Sequence, residues 1–140
     1  MTSDEVEDVI RGAYAWFNRA ERDASGDREL ALLDFWHTDG VYVNSADDPD
    51  PGIHNGIDAV RGQIGRWVET YPNLRVEPLE IRTNGNVAYV WVRFSGHGAG
   101  SGLPIEMEIA HVVTIEDGKT RRLEEYTTRD AGLAAAGLPS

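Results

Sequence analysis

The sequence predicts an α+β domain in which a helical N-terminal half is followed by a mostly antiparallel sheet. Three observations carry that expectation. Apolar residues recur at three- and four-residue spacing as far as Val68, and from Leu74 onward the spacing falls to two. Two tight-turn signals, Asn84-Gly85 and Asp117-Gly118, separate consecutive period-2 segments, as hairpins require. Finally, 140 residues with 41% hydrophobic content suit a single domain spanning residues 1–140, with no length left for a second core.

The first element is a helix over about residues 4–23, carried by Val6, Ile10, Ala13, Tyr14 and Phe17, with Ser3 as expected N-cap and Asp4 and Glu5 at the positive helix end. After the Ser25-Gly26 break, a second short helix is expected from Asp27 through Leu30 and Leu33 to Trp36. Val41, Tyr42 and Val43 read as a short strand. Ser45 to Gly56 is rich in prolines, glycines and acidic turn formers, so it is expected to be a loop, and Ala46 to Asn55 a mobile lid at a pocket mouth. A third helix runs from Ile57 through Val60, Ile64 and Val68 and stops before Pro72. Strands then follow at Leu74 to Arg82, with register broken near Pro78, and at Val87 to Ser95. Beyond the glycine-rich reversal Gly96 to Gly102, Ile105, Met107, Ile109, His111, Val113 and Ile115 alternate with Glu106, Glu108, Ala110, Val112 and Thr114. One face of this strand is therefore apolar except for a histidine. The last strand is expected at Arg121 to Thr128, and the tail from Asp130 as a weak helix or frayed end.

Composition narrows the function. With 24 acidic residues against 13 basic ones, a formal charge of −11 and Lys119 as the only lysine, the surface would repel a phosphate backbone, so no nucleic-acid partner is expected. No stretch approaches the roughly 18 apolar residues of a membrane span, and the acidic N-terminus is unlike a signal peptide. No membrane partner is expected, and the chain reads as cytoplasmic. Without cysteine there is no disulfide, thiolate nucleophile or Cys-ligated metal. Asp47, Asp48, Asp50 and His54 lack a recognised ligand spacing and read as a solvated acidic loop, so no metal is expected. No cofactor is expected either, because the glycines of 96–102 lead into a strand where a phosphate-binding loop would follow one.

The order of elements, together with Phe35-Trp36-His37-Thr38-Asp39-Gly40-Val41-Tyr42-Val43, Gly56-Ile57-Asp58-Ala59-Val60-Arg61 and Asp117-Gly118-Lys119, resembles the nuclear transport factor 2 superfamily, also called ketosteroid isomerase-like or SnoaL-like, over roughly residues 6–132. The resemblance implies a cone-shaped, curved sheet wrapped around the N-terminal helices, the cystatin-like roll, with a cavity between them. That fold hosts isomerases, hydrolases, dehydratases, cyclases and proteins without catalysis. Local similarity is nearest to the limonene epoxide hydrolase branch: Tyr42-Val43-Asn44 repeats its Tyr-x-Asn spacing, and Glu125 falls where that branch has a water-activating Asp. Trp91 and Arg93, however, stand where that branch carries an Arg and a second Asp. Against the ketosteroid isomerase branch, Asn44 falls at the catalytic base and His111 at the oxyanion-stabilising acid. Asn cannot act as a base, so the resemblance leaves His111 as hydrogen-bond donor or as base itself.

The catalytic candidates are thus His111, Glu125, Tyr42 and Asn44, with Arg93, Trp91, Met107, Tyr14 and Trp16 as substrate-binding candidates. Each also has a purely structural reading. His111 can be a hydrogen-bonded core residue, Glu125 a solvated strand-end carboxylate, and Arg93 its ion-pair partner; Tyr14 and Trp16 can be core or interface. Two functions follow. One is acid-base chemistry on a small apolar metabolite: hydration or epoxide hydrolysis, isomerisation, dehydration or cyclisation. The other is a non-catalytic small-molecule-binding or dimerisation domain. A homodimer is expected, because both faces of Val87 to Ser95 are apolar and one domain buries only one of them internally.

Overall fold

The computed structural model describes residues 1–19, 32–45 and 52–140. Helix α1 (Ser3–Phe17) begins in a capping box: the Thr2 hydroxyl accepts from the Glu5 N–H at 3.2 Å, and the Glu5 carboxylate accepts from the Thr2 N–H at 3.1 Å. The Thr-x-x-Glu spacing therefore makes Thr2, and not Ser3, the N-cap. The helix also ends before residue 23. Asn18 leaves it to bond a strand, its amide donating to the Val76 carbonyl at 2.7 Å and accepting from the Val76 N–H at 2.8 Å. Val6, Ile10 and Tyr14 form its buried stripe.

Of the second expected helix, residues 27–31 lie outside the described residues, and residues 32–35 are helical. Trp36 already belongs to strand β1 (Trp36–Val43), which starts earlier than the apolar alternation indicates. Its register against its neighbour shifts between Trp36 and Val41. Gly40 sits in that irregularity, where a Cβ would meet the Trp36 ring at 2.8 Å. The expected loop Ser45 to Gly56 contains a short strand, β2 (Ile53–Asn55), which pairs antiparallel with β1 and sets His54 opposite Tyr42. Most of the expected lid, residues 46–51, lies outside the described residues.

Helix α2 (Ile57–Thr70) follows, and then a meander of β3 (Arg75–Asn84), β4 (Val87–His97), β5 (Pro104–Glu116) and β6 (Lys119–Tyr126). The register of β3 shifts between Pro78 and Glu80, as a residue without an N–H demands. Asp117 and Gly118 both take positive φ in the last hairpin, at 54° and 75°. Strand β6 then pairs in parallel with β1, so the six-stranded sheet runs β2-β1-β6-β5-β4-β3. It is curled and unclosed, and α1 and α2 pack on its concave face. No helix among the described residues is long and apolar enough to cross a membrane.

The two faces of β4 have different fates. Ala88, Val90, Val92 and Phe94 enter the main core with Val6, Ile10 and Val60. Tyr89, on the outer face, is buried with Ala110 and Val112 beneath helix α3 (Arg129–Ala135) through Leu133 and Ala136. The tail is thus a docked helix, capped by the Thr128 hydroxyl. It covers, from the same chain, the part of the apolar outer face around Tyr89, Ala110 and Val112. Gly132 sets the closeness of that packing, since a Cβ there would lie 2.5 Å from the Ala110 Cβ and 3.2 Å from the Tyr89 ring. Gly132→Val is expected to lower stability by about 1–2 kcal/mol through overpacking. Denaturant titration checks this, and an unchanged midpoint would show that α3 contributes nothing at this contact.

Candidate active site

Between the concave sheet and the two helices lies a cavity walled by the indoles of Trp16, Trp36 and Trp67 and by Phe17 and Phe94. Its accessible space is about 80 Å³. That is room for a small ligand. Polar groups reach the wall from Tyr14, Tyr42, His111 and Thr120, and among the described residues no Arg or Lys lines it. A ligand here meets a mostly apolar, aromatic surface with a few fixed hydrogen-bonding groups.

His111 sits near the middle of β5, its ring edge-on to Phe94 with centroids 5.7 Å apart. Burial at 3% exposure disfavours the charged imidazolium and pulls the pKa down from 6.5 to about 3. The Tyr14 hydroxyl, delivered by the buried stripe of α1, lies 2.6 Å from His111 Nδ1. Burial, with the charge of Glu125 as a lesser cause, raises the Tyr14 pKa far above its usual value, so the phenol keeps its proton. Two arrangements are then open. If Nδ1–H donated to Tyr14, both the phenolic hydrogen and Nε2 would lack partners among the described residues; if Tyr14 donates to Nδ1, only Nε2–H does. The second leaves one buried group unmet instead of two and assigns the tautomer. His111 thus presents a neutral N–H donor at the cavity wall.

Glu125 on β6 stands directly across from His111 on β5, and both are buried. Tyr42, on β1, covers it from the cavity side, donating its hydroxyl to Glu125 Oε2 at 2.6 Å, while the Ser45 N–H donates to Oε1 at 3.3 Å. Burial first, and then the charge and hydrogen bond of Glu125, push the Tyr42 pKa well up; a contact from Trp67 acts the other way. Trp36 stacks on Tyr42 with centroids 6.2 Å apart, which holds the phenol in place.

The remaining candidates divide. Tyr14 and Trp16 line the cavity. Asn44 is buried, but it is not in the cavity wall, and its backbone N–H bonds the Gly52 carbonyl at 3.0 Å. Arg93 does not pair with Glu125. It lies with Trp91 on the outer face, near Glu106 at 3.4 Å and Glu108 at 3.9 Å, because the even-numbered residues of β4 face the cavity. Trp91 packs with Tyr89 in the outer cluster, under the Arg129 guanidinium at 5.2 Å. Met107 shares the parity of His111 but lies toward the far end of β5, 39% exposed and outside the cavity wall. Sequence reasoning missed Trp36, assigned to a helix, and Trp67, whose signal was available in the Ile57, Val60, Ile64, Trp67 spacing on α2. Among the described residues, one cluster has the side chains to hold a metal, His37 with Glu116 and Asp117; it is largely exposed and apart from this cavity.

Residues 11–123 match the SnoaL-like domain family. No curated protein matches the chain. Similar solved structures include a candidate SnoaL-like polyketide cyclase from Jannaschia sp. CCS1, with 14% identity over 98% of this chain and 94% of that one and a TM-score of 0.72. A protein of ketosteroid isomerase-like fold from Catenulispora acidiphila, in complex with trimethylamine, is 18% identical over 94% and 93%, with a TM-score of 0.68. TerC, co-crystallised with polyporic acid, is 20% identical over 91% and 94%, with a TM-score of 0.70. At these identities the likeness is one of fold.

Proposed function

We propose that this chain, which belongs to the SnoaL-like domain family, is an enzyme that binds a small, uncharged, mostly apolar carbonyl compound and isomerises or cyclises it through an enol or enolate. The observation that supports this reading most is His111 Nε2: buried, in the wall of an apolar cavity, and without a partner among the described residues. Leaving such a donor unmet costs about 1–3 kcal/mol, which a ligand oxygen recovers. As the neighbouring C–H bond breaks, negative charge gathers on that oxygen and the same hydrogen bond strengthens, which is how a fixed donor lowers a barrier. The aromatic walls suit the faces of a planar ring. Among the described residues no Arg or Lys lines the cavity to meet a carboxylate or phosphate, which favours an uncharged ligand. The descriptions of the structural neighbours, which name a candidate polyketide cyclase and small molecules bound to the same fold, agree with a small-molecule pocket.

Epoxide opening has less support, because Tyr42 directs its proton to Glu125 and Asn44 is not in the cavity wall. A purely binding domain would use the same cavity; proton transfer separates it from the enzyme. The first test is binding of 2-cyclohexenone, read by quenching of the lining indoles. His111→Leu is expected to weaken binding about tenfold, the loss of one good hydrogen bond. His111→Gln, which keeps an N–H donor, should fall between. Equal binding by all three proteins would remove the reading.

A further inference from the structure

We propose that the base of this site is a relay, in which Tyr42 takes the substrate proton while passing its own to Glu125; the inference rests on the enolisation reading above. Enolisation requires a proton acceptor, and among the described residues the cavity wall offers few. Tyr14 directs its hydrogen to Nδ1 of His111, and Nε2 carries a proton in the tautomer that leaves fewest groups unmet. The Thr120 hydroxyl is not basic. The carboxylate of Glu125 is close at hand, but it is buried at 5% exposure and does not itself line the cavity. Tyr42 stands between, at once part of the wall and 2.6 Å from Oε2.

The proton balance closes without any further reactant. The C–H bond beside the carbonyl breaks, and its proton bonds to the Tyr42 oxygen as the Tyr42 O–H proton moves to Glu125 Oε2. The C–H electron pair becomes the enolate double bond, and the carbonyl oxygen takes the charge that Glu125 gives up, held by His111 Nε2–H. Reversal at a different carbon completes an isomerisation and recharges Glu125. The two transfers are coupled, because burial beside a carboxylate keeps Tyr42 from existing as a free phenolate. Tyr42 touches the substrate; Glu125 acts through it.

The test is conversion of 3-cyclohexenone to its conjugated isomer, followed by ultraviolet absorbance in H2O and in D2O. Tyr42 O–H is the solvent-exchanged bond in flight, so the wild-type reaction is expected to be slower in D2O, whereas direct abstraction by a carboxylate moves only the carbon-bound proton. Tyr42→Phe should lower the rate about 100-fold or more while 2-cyclohexenone still binds. Glu125→Gln should do the same and remove the solvent isotope effect from the residual rate, which a merely structural carboxylate would leave in place. Equal rates in the two solvents, or a Tyr42→Phe protein with the wild-type rate, would overturn the relay and leave enolisation standing. Binding without isomerisation overturns the relay and reduces the protein to a binder. Absence of binding overturns both. Should Tyr42→Phe fail to fold, the solvent comparison on the wild-type protein decides alone.

Discussion

Below about pH 6.5 the folded protein is expected to lose stability through His111 at about 1 kcal/mol per pH unit. The sign follows from the direction of the shift. An imidazole in the unfolded chain titrates near 6.5, whereas burial holds that of His111 down at about 3. Above 6.5 both states are neutral and the residue contributes no slope. As the pH falls below that point, the unfolded chain binds a proton that the folded one refuses, and the equilibrium shifts toward unfolding until the folded pKa is reached. The acidic surface groups titrate over an overlapping range, so the informative quantity is a difference. Denaturant midpoints of wild type and His111→Gln, measured from neutral pH down to about 4.5, should converge as the pH drops. Parallel curves would mean that the imidazole protonates in place, and with it the neutral-donor assignment would fall.

Tyr42→Phe is expected to cost about 2–3 kcal/mol, more than the usual loss of a hydroxyl, because the acceptor it abandons is a buried carboxylate. A double-mutant cycle with Glu125→Gln isolates the pair. A glutamine amide is a weaker acceptor than a carboxylate, so Tyr42→Phe should cost markedly less once Glu125→Gln is in place, a coupling of about 1–2 kcal/mol. Additive effects would show that the phenol and the carboxylate do not act on each other, which would undercut both this interaction and the relay built on it.

How much of this was legible before the structure depended on whether a segment had one unambiguous apolar face. Strand β5 did: its single histidine among aliphatic residues placed His111 on the concave side, and the Asp117-Gly118 hairpin carried Glu125 to the position across from it. Strand β4 did not. With Ala88, Val90, Val92 and Phe94 on one side and Val87, Tyr89 and Trp91 on the other, alternation cannot choose which face looks inward, and Trp91 and Arg93 were assigned to the wrong one. The reason is the docked C-terminal helix, which makes the outer face apolar as well. Strand β2 was hidden for a different reason: three residues, Ile53–Asn55, inside a turn-rich stretch give no period at all, and only their pairing with β1 makes them a strand. The Tyr14–His111 bond joins residues on α1 and β5, a contact between elements that no local pattern encodes.

The parallel pairing of β1 with β6 also sets an order of events at the ribosome. Tyr42 and Glu125 are 83 residues apart in sequence, so the strand that carries Tyr42 leaves the exit tunnel long before its partner exists. The β3–β6 meander closes through local hairpins, whereas β1 has β2 as a local partner on one edge and meets β6 on the other only after the meander is made. Until β6 arrives the cavity lacks the wall that Thr120 and Leu123 supply, and a product truncated before β6 is expected to leave Trp36 and Tyr42 less fully covered. The cavity between sheet and helices can therefore close only after β6 has been made.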